Sequence, residues 1–292
     1  MSEKAFVLTG VEKQLGDFRL KIDDLSMDRG FVLGLVGRNG AGKTTTIRIL
    51  LNLIYPDRGR VSVLGLSMPR DESTIKRRIG YVSENPSFYE DMTVAWTIGL
   101  VSRYYPAWDQ ELSQHYLRKF DLDPRKRVKQ LSKGMRVKLA LTLALSHRPE
   151  LLLLDEPTSG VDPVIRRELL EEIADMIKDE RHAVVFSSHI TQDVEQVADY
   201  VAIIDDGRVR EYADKERLLD RWCRVTGRTP ANGRDISPLF RSLRTQGDSF
   251  SGITDRYSPE WERRLEETGV SGHRVHRLGL DEILLSLSGK EI

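Results

Sequence analysis

The sequence predicts an α/β fold with an inserted helical subdomain and a small α/β appendage at its C-terminal end. Three observations carry this. Short, almost wholly apolar runs, "FVLGLV" (31–36), "LLLLD" (151–155), "AVVFSS" (183–188) and "YVAIID" (200–205), read as buried strands. A glycine-rich turn after the first run leads into "KTTTIRILLNLI" (43–54), which reads as a helix. Between about 85 and 130 the composition shifts toward Trp and Tyr, and helical spacing replaces the strand pattern.

The elements follow in order. Residues 61–64 and 79–82 are further short strand candidates. In the insert, Thr93 and Pro106 bracket one helical segment, and Leu112, Leu117 and Phe120 mark another. Trp96, Trp108, Tyr104, Tyr105 and Tyr116 are expected to form its small core. A helix from Pro163 places Ile165, Leu169, Ile173 and Ile177 on one face. "DDGRVREY" (205–212) reads as a hairpin turn closing a first domain, residues 1–210. Residues 211–292 form the accessory domain. There, Ser237-Pro238 and Ser258-Pro259 are helix-start pairs. Leu280, Ile283, Leu284 and Leu287 recur at helical spacing.

The bulk composition narrows the function. The chain has 292 residues, with 45 basic and 45 acidic side chains and a formal net charge of zero. A protein that coats nucleic acid is more often basic overall, so no nucleic-acid partner is expected. One cysteine, Cys223, excludes an internal disulfide and a cysteine-rich zinc site. The sequence opens without a secretory pattern, and no apolar run approaches the roughly 18 residues that span a bilayer. A cytoplasmic location is expected, with any membrane role supplied by a partner.

The chemistry begins at "GRNGAGKT" (37–44), which fits G-x-x-x-x-G-K-[ST] between a strand and a helix. In such a P-loop, the amides of Gly37, Arg38, Asn39, Gly40, Ala41, Gly42, Lys43, Thr44 and Thr45 curl around phosphate oxygens. Lys43 reaches the outer phosphates, and the Thr44 hydroxyl is suited to magnesium. Asp155, at the end of a buried strand, is the carboxylate expected to hold that metal. Glu156 follows directly, placed to orient or deprotonate an attacking water.

"QLSKGMRVKLALTLALSH" (130–147) sets a polar glycine turn before an apolar helix. Two readings stand: Ser132 caps the helix, or the helix start faces a phosphate.

With these pieces in place, the chain resembles the ATP-binding cassette (ABC) family, over about residues 5–210. The resemblance rests on "GRNGAGKTT" (37–45), "LSKGM" (131–135), "LLLLDEPTSGVDP" (151–163) and "SSH" (187–189), in the family's order. It implies a P-loop NTPase core of the ABC ATPase type, with ATP and Mg2+. It also implies a second ABC ATPase subunit, most simply a second copy. Two ATP molecules would lie between the pair, each on one subunit's P-loop and under the other's Ser132, Lys133 and Gly134. His189 matches the family's histidine at the γ-phosphate. Asp162, a helix cap by position, matches its aspartate at the dimer interface.

Three positions near the phosphates, and one at the adenine, depart from the family pattern. Glu84 stands where a glutamine usually touches magnesium and the water, and a carboxylate is a good hard ligand. Lys133 and Met135 replace residues of the usual L-S-G-G-Q. The adenine-stacking aromatic aligns with Leu15; Phe18 is a nearby substitute or a core residue.

The resemblance implies the ATPase subunit of an exporter of a drug, antimicrobial peptide or lipid, working on a separate integral membrane permease. That permease would hold it on the inner face of the membrane, docking at "NPSFYEDMT" (85–93). The alternatives are a soluble ABC ATPase acting on DNA or ribosomes, and a regulatory binding protein with negligible turnover. The first usually carries long coiled-coil insertions or two cassettes, and an intact Glu156 argues against the second.

Overall fold

A computed structural model describes residues 3–230 and 234–289. The chain divides into two units, one ending at Tyr212 and one beginning at Ala213.

The first unit is built on one ten-stranded sheet. Its strands are β1 (Lys4–Leu15), β2 (Phe18–Asp28), β3 (Val32–Val36), β4 (Arg58–Val63), β5 (Leu66–Met68), β6 (Ile79–Val82), β7 (Leu151–Asp155), β8 (Ala183–Ser188), β9 (Tyr200–Asp205) and β10 (Arg208–Asp214). Their order across the sheet is β5-β4-β1-β2-β10-β9-β3-β8-β7-β6. From β9 to β6 the pairs are parallel, and β3, β7 and β8 are buried along their whole length. That burial on both faces is why these strands read as unbroken apolar runs.

The other side of the sheet is antiparallel, with β1 paired to β2 and β4, and β4 to β5. Sequence reading found only part of β4 here. The period-2 signal was nonetheless present: in "FRLKI", Leu20 and Ile22 are fully buried while Arg19 and Lys21 point outward. The turn from β9 to β10 uses left-handed residues at Asp206 and Gly207 (φ 47° and 68°), as a tight hairpin demands.

The helices are α1 (Lys43–Leu50), α2 (Glu72–Lys76), α3 (Val94–Ser102), α4 (Gln110–Lys119), α5 (Lys133–Leu145), α6 (Pro163–Met176) and α7 (Thr191–Val197). The first stops four residues short of the expected 43–54, because Asn52 turns to φ 55° and donates its amide to Glu72 Oε2 at 2.7 Å. In the insert, Thr93 caps α3 and Asp109 caps α4. The residues just before α5 are zipped to the loop before α3: Val128 N donates to Met92 O and Lys129 N to Glu90 O, both at 2.9 Å.

The insert's aromatics are not one core. Tyr116 and Phe120 are buried and stacked, but Trp96 and Tyr104 are 43% and 71% exposed. The insert is too thin to cover five large rings. Tyr116 instead donates to the buried Glu172 Oε1 of α6 at 2.8 Å, and burial, with that neighbouring carboxylate behind it, pushes its hydroxyl pKa up.

The second unit contains α8 (Lys215–Arg221), β11 (Cys223–Arg228), β12 (Ser242–Gln246), β13 (Ser249–Thr254), α9 (Pro259–Glu266), β14 (Arg274–Arg277) and α10 (Leu280–Leu287). Its antiparallel sheet, β12-β13-β11-β14, has a core of Cys223, Val225, Phe250, Trp261, Leu265 and Val270. Ser258 caps α9 with Pro259 at the first helical position. Ser237-Pro238 does not start an α-helix: it opens a single 3-10 turn, and Ser237 lies inside that turn, bonded to Asp235.

His147, just after α5, is 2% exposed and stacks on Tyr105 at 3.9 Å. Burial holds its pKa below the usual histidine value, against the pull of two nearby carbonyls, Ile79 O and Leu143 O. The unfolded chain therefore takes up a proton that the folded protein refuses, so stability is lost as pH falls below about 6.5. His147→Gln should flatten that part of the pH profile. Urea unfolding at pH 7.5 and pH 5 checks this; equal slopes for variant and parent would remove His147 as the cause.

Candidate nucleotide site

Strand order assembles the site. The P-loop leaves the end of β3, Asp155 ends β7, and β8 lies between them with Val36 beside Ser188 and Asp155 beside Ser187. Ligands of open α/β sheets gather outside such carboxyl ends.

The P-loop backbone leaves no room for side chains at two of its glycines. A Cβ on Gly37 would stand 2.3 Å from Ile204 O, and one on Gly42 would stand 2.8 Å from Leu20 Cδ1. Gly42 also holds φ 119° at the start of α1. Gly37, Ala41 and Gly42 are buried, whereas Arg38, Asn39 and Gly40 are exposed; Thr44 and Thr45 are half-buried.

Lys43 is 4% exposed. Its ammonium donates to Gly37 O at 2.7 Å and Arg38 O at 3.2 Å, and forms an ion pair with Glu156 Oε1 at 3.1 Å. The other oxygen of Glu156 lies 2.7 Å from His189 Nδ1 and accepts from His189 N at 3.2 Å. Glu156 itself has φ 50°, an uncommon backbone for a non-glycine residue.

Asp155 Oδ1 accepts from Thr44 Oγ1 at 3.0 Å and Ser187 Oγ at 2.9 Å. Burial pushes the Asp155 pKa up; the two hydroxyls pull it down, and the neighbouring Glu156 charge adds to the rise. Ser187 Oγ also accepts from Glu156 N at 3.0 Å, so one hydroxyl fixes both acids. Sequence reading quoted the Ser187-Ser188-His189 run but assigned a role only to the histidine.

These groups border a cavity of about 460 Å³ lined by Leu15, Phe18, residues of the P-loop, Glu84 and Glu156. Phe18 is half-buried and packs against the core while facing this cavity, so the two sequence readings of it are compatible. Glu84 is exposed and accepts from Ser159 Oγ at 3.3 Å. A cleft of about 590 Å³ lies elsewhere, beside Tyr116 and Glu172, which already satisfy each other.

Ser132, Lys133, Gly134 and Asp162 do not line the 460 Å³ cavity. Ser132 caps α5, accepting from Met135 N at 3.3 Å, and Asp162 caps α6, accepting from Val164 N at 2.8 Å. Gly134 has a packing reason to be glycine: a Cβ would stand 2.5 Å from Ile165 Cδ1. Ser132, Lys133 and Asp162 are exposed.

No three His, Cys, Asp or Glu side chains converge as a metal cage among the described residues. The pair of half-buried Thr44 and buried Asp155 fits a magnesium ion, which keeps several waters and takes one or two protein ligands beside phosphate oxygens.

A backbone cradle with a buried lysine, facing two consecutive acids on a nearby strand, defines a P-loop nucleotide-hydrolysing protein. Within that class, a family model described as ABC transporter matches residues 20–159. Among curated proteins, the bacitracin transport ATP-binding protein BcrA of Bacillus licheniformis is 36% identical over 68% of this chain and 65% of its own. The daunorubicin resistance ATP-binding protein DrrA3 of Streptomyces coeruleorubidus is 30% identical over 100% of this chain and 98% of its own. The Nod factor export ATP-binding protein I of Burkholderia lata is 30% identical over 97% and 96%. An ATP-binding subunit of an ABC transporter superposes with a TM-score of 0.66 at 26% identity, covering 73% of this chain and 91% of that one. A cassette solved as a dimer after hydrolysis, with ADP and phosphate, shares the fold at a TM-score of 0.63 and 20% identity, over 72% of this chain and 98% of its own. The chain belongs to the ABC transporter family, as an ATP-binding and ATP-hydrolysing subunit of the exporter kind.

The close approach at Gly37 is structural as well as functional. Gly37→Ala should destabilise the protein by about 1–3 kcal/mol, the usual effect of overpacking. Urea denaturation without nucleotide measures it; an unchanged midpoint would mean the loop has slack at this position.

Proposed function

We propose that two copies of this chain close around two ATP molecules and that hydrolysis reopens them, driving export through a separate integral membrane permease. The observation that carries the proposal is Glu156, buried and held between Lys43 and His189 at the mouth of the P-loop. A carboxylate so placed orients or deprotonates the attacking water. Lys43 turns from Gly37 O and Arg38 O toward the outer phosphates, while the amides of residues 37–45 hold the chain of oxygens. His189 positions Glu156 and contacts the γ-phosphate. Leu15 and Phe18 face the base.

Mg2+, when bound, neutralises charge on the phosphates; Thr44, Asp155 and Glu84 are the residues that would hold it. From the opposite subunit, the start of α5 at Ser132, Lys133 and Gly134 faces the γ-phosphate. A helix N-terminus stabilises an anion there. Asp162 reaches the interface beside it.

The permease would dock at residues 85–93, where the exposed Tyr89 ring packs edge-on against the exposed Trp96 at 5.6 Å. This protein would then sit on the cytoplasmic face of the membrane. No helix among the described residues is long and apolar enough to cross it. The cargo is a drug, an antimicrobial peptide or a lipid, a reading supported by relatives named for bacitracin transport, daunorubicin resistance and Nod factor export. The cassette (1–210) and the accessory domain (211–292) both belong to this reading, which relatives aligned along 97–100% of the chain support.

Two experiments test this. Glu156→Gln keeps the binding groups but removes the base, so ATP should trap a stable dimer with turnover reduced at least a hundredfold. Analytical ultracentrifugation showing only monomer with ATP and Mg2+ would refute the sandwich. Ser132→Asp keeps a good helix cap but sets a negative charge against the γ-phosphate. In the Glu156→Gln background it should abolish the dimer and leave single-subunit nucleotide affinity within about twofold. Equal dimerisation would place α5 away from the phosphate.

A further inference from the structure

Two of the departures from the family pattern near the phosphates, Glu84 and Lys133, carry opposite charges, and both reach one turn. That turn runs from Glu156 at the end of β7 to Asp162 at the start of α6. Its first half is pinned: Thr158 is 1% exposed and donates to Asp193 Oδ2 at 2.7 Å. The next two residues receive the departures. Ser159 Oγ donates to Glu84 Oε1 at 3.3 Å. Gly160 holds φ 63°, and a Cβ there would stand 3.2 Å from Lys133 Nζ, so the ammonium lies directly against it.

The Lys133 side chain makes no ion pair or hydrogen bond with any described residue, and it stands in the first turn of α5. A cation at a helix start is disfavoured by the helix dipole. An anion on the far side of a two-residue turn relieves that. Glu84 is such an anion, and among the described residues its carboxylate is engaged only by Ser159.

We propose that Glu84 and Lys133 of the same protomer are a coupled pair of positioning residues, acting on each other through Ser159-Gly160. Together they hold the turn that carries Glu156 at one end and Asp162 at the other. With both present, the charges of Glu84 and Lys133 cancel beside the turn, and with both absent neither acts on it. One alone leaves an uncompensated charge beside it. What the turn does in the dimer rests on the sandwich reading; the pairing itself does not.

A double-mutant cycle in the protein without nucleotide tests the pairing directly. The variants are Glu84→Gln, Lys133→Gln and the double variant, followed by urea unfolding at low and high salt. The folding equilibrium constants should be non-additive by about two- to fivefold at low salt, the range of exposed charge pairs, and additive at high salt. Additivity at both salts would overturn the proposal.

The positioning role is read in the Glu156→Gln background. Each single variant should weaken ATP-driven dimerisation about two- to fivefold, the double variant should recover most of it, and Lys133→Arg should behave as the parent. Heterodimers of differently tagged chains separate the two arrangements. If Glu84→Gln paired with Lys133→Gln dimerises like the parent while the double variant paired with the parent does not, the charges meet across the interface and the proposal falls. A parent that fails to dimerise sinks the sandwich reading, and the unfolding cycle still decides the pair.

Discussion

A lysine and a glutamate, their side chains 5% and 8% exposed, stand 3.1 Å apart at the mouth of the P-loop, and the site is organised around that contact. Neither charge is tolerable there alone: removing one member of a buried pair typically costs about 3–5 kcal/mol. The surroundings finish what the pair begins. Gly37 O and Arg38 O take the remaining reach of Lys43, and His189 takes the second oxygen of Glu156. The loop, the strand end and the histidine are thus tied at one point, although they come from three parts of the chain.

That point exists because of strand order. Placing β8 between β3 and β7 lets Ser187 touch Asp155 and the backbone of Glu156 at once, on the flank of the P-loop helix that carries Thr44. The wholly buried strands supply rigidity, and the left-handed backbone at Glu156 redirects the chain so that its carboxylate faces the cavity. Strain at such a residue is held in place by the packing around it.

The parts of this arrangement that are local in sequence were legible there. The P-loop, the acids after "LLLL" and the histidine after "SS" each follow an apolar run whose length fixes where the strand ends. Caps were legible too, since Ser132, Asp162 and Ser258 each precede their helix. What could not be read depends on neighbours distant in the chain. Ser187 looks like any strand-end serine until β7 lies beside it. The glycine at 134 reads as part of a signature, yet a side chain there would also have to displace the tip of Ile165. The antiparallel strands were overlooked for a different reason: their alternation was present, but mixed with charged residues that lower the apolar count.

The zipper between residues 90–92 and 128–129 sets how movement travels in this molecule. Two main-chain bonds there are reinforced by Lys129 to Asp91 at 2.7 Å and Arg136 to Glu90 at 3.0 Å. Main-chain bonds do not stretch the way side-chain contacts swing. The rim at residues 85–93 is thus laced to Val128 and Lys129, just before Ser132, so the N-terminal tip of α5 and that rim are neighbours on one hydrogen-bonded seam.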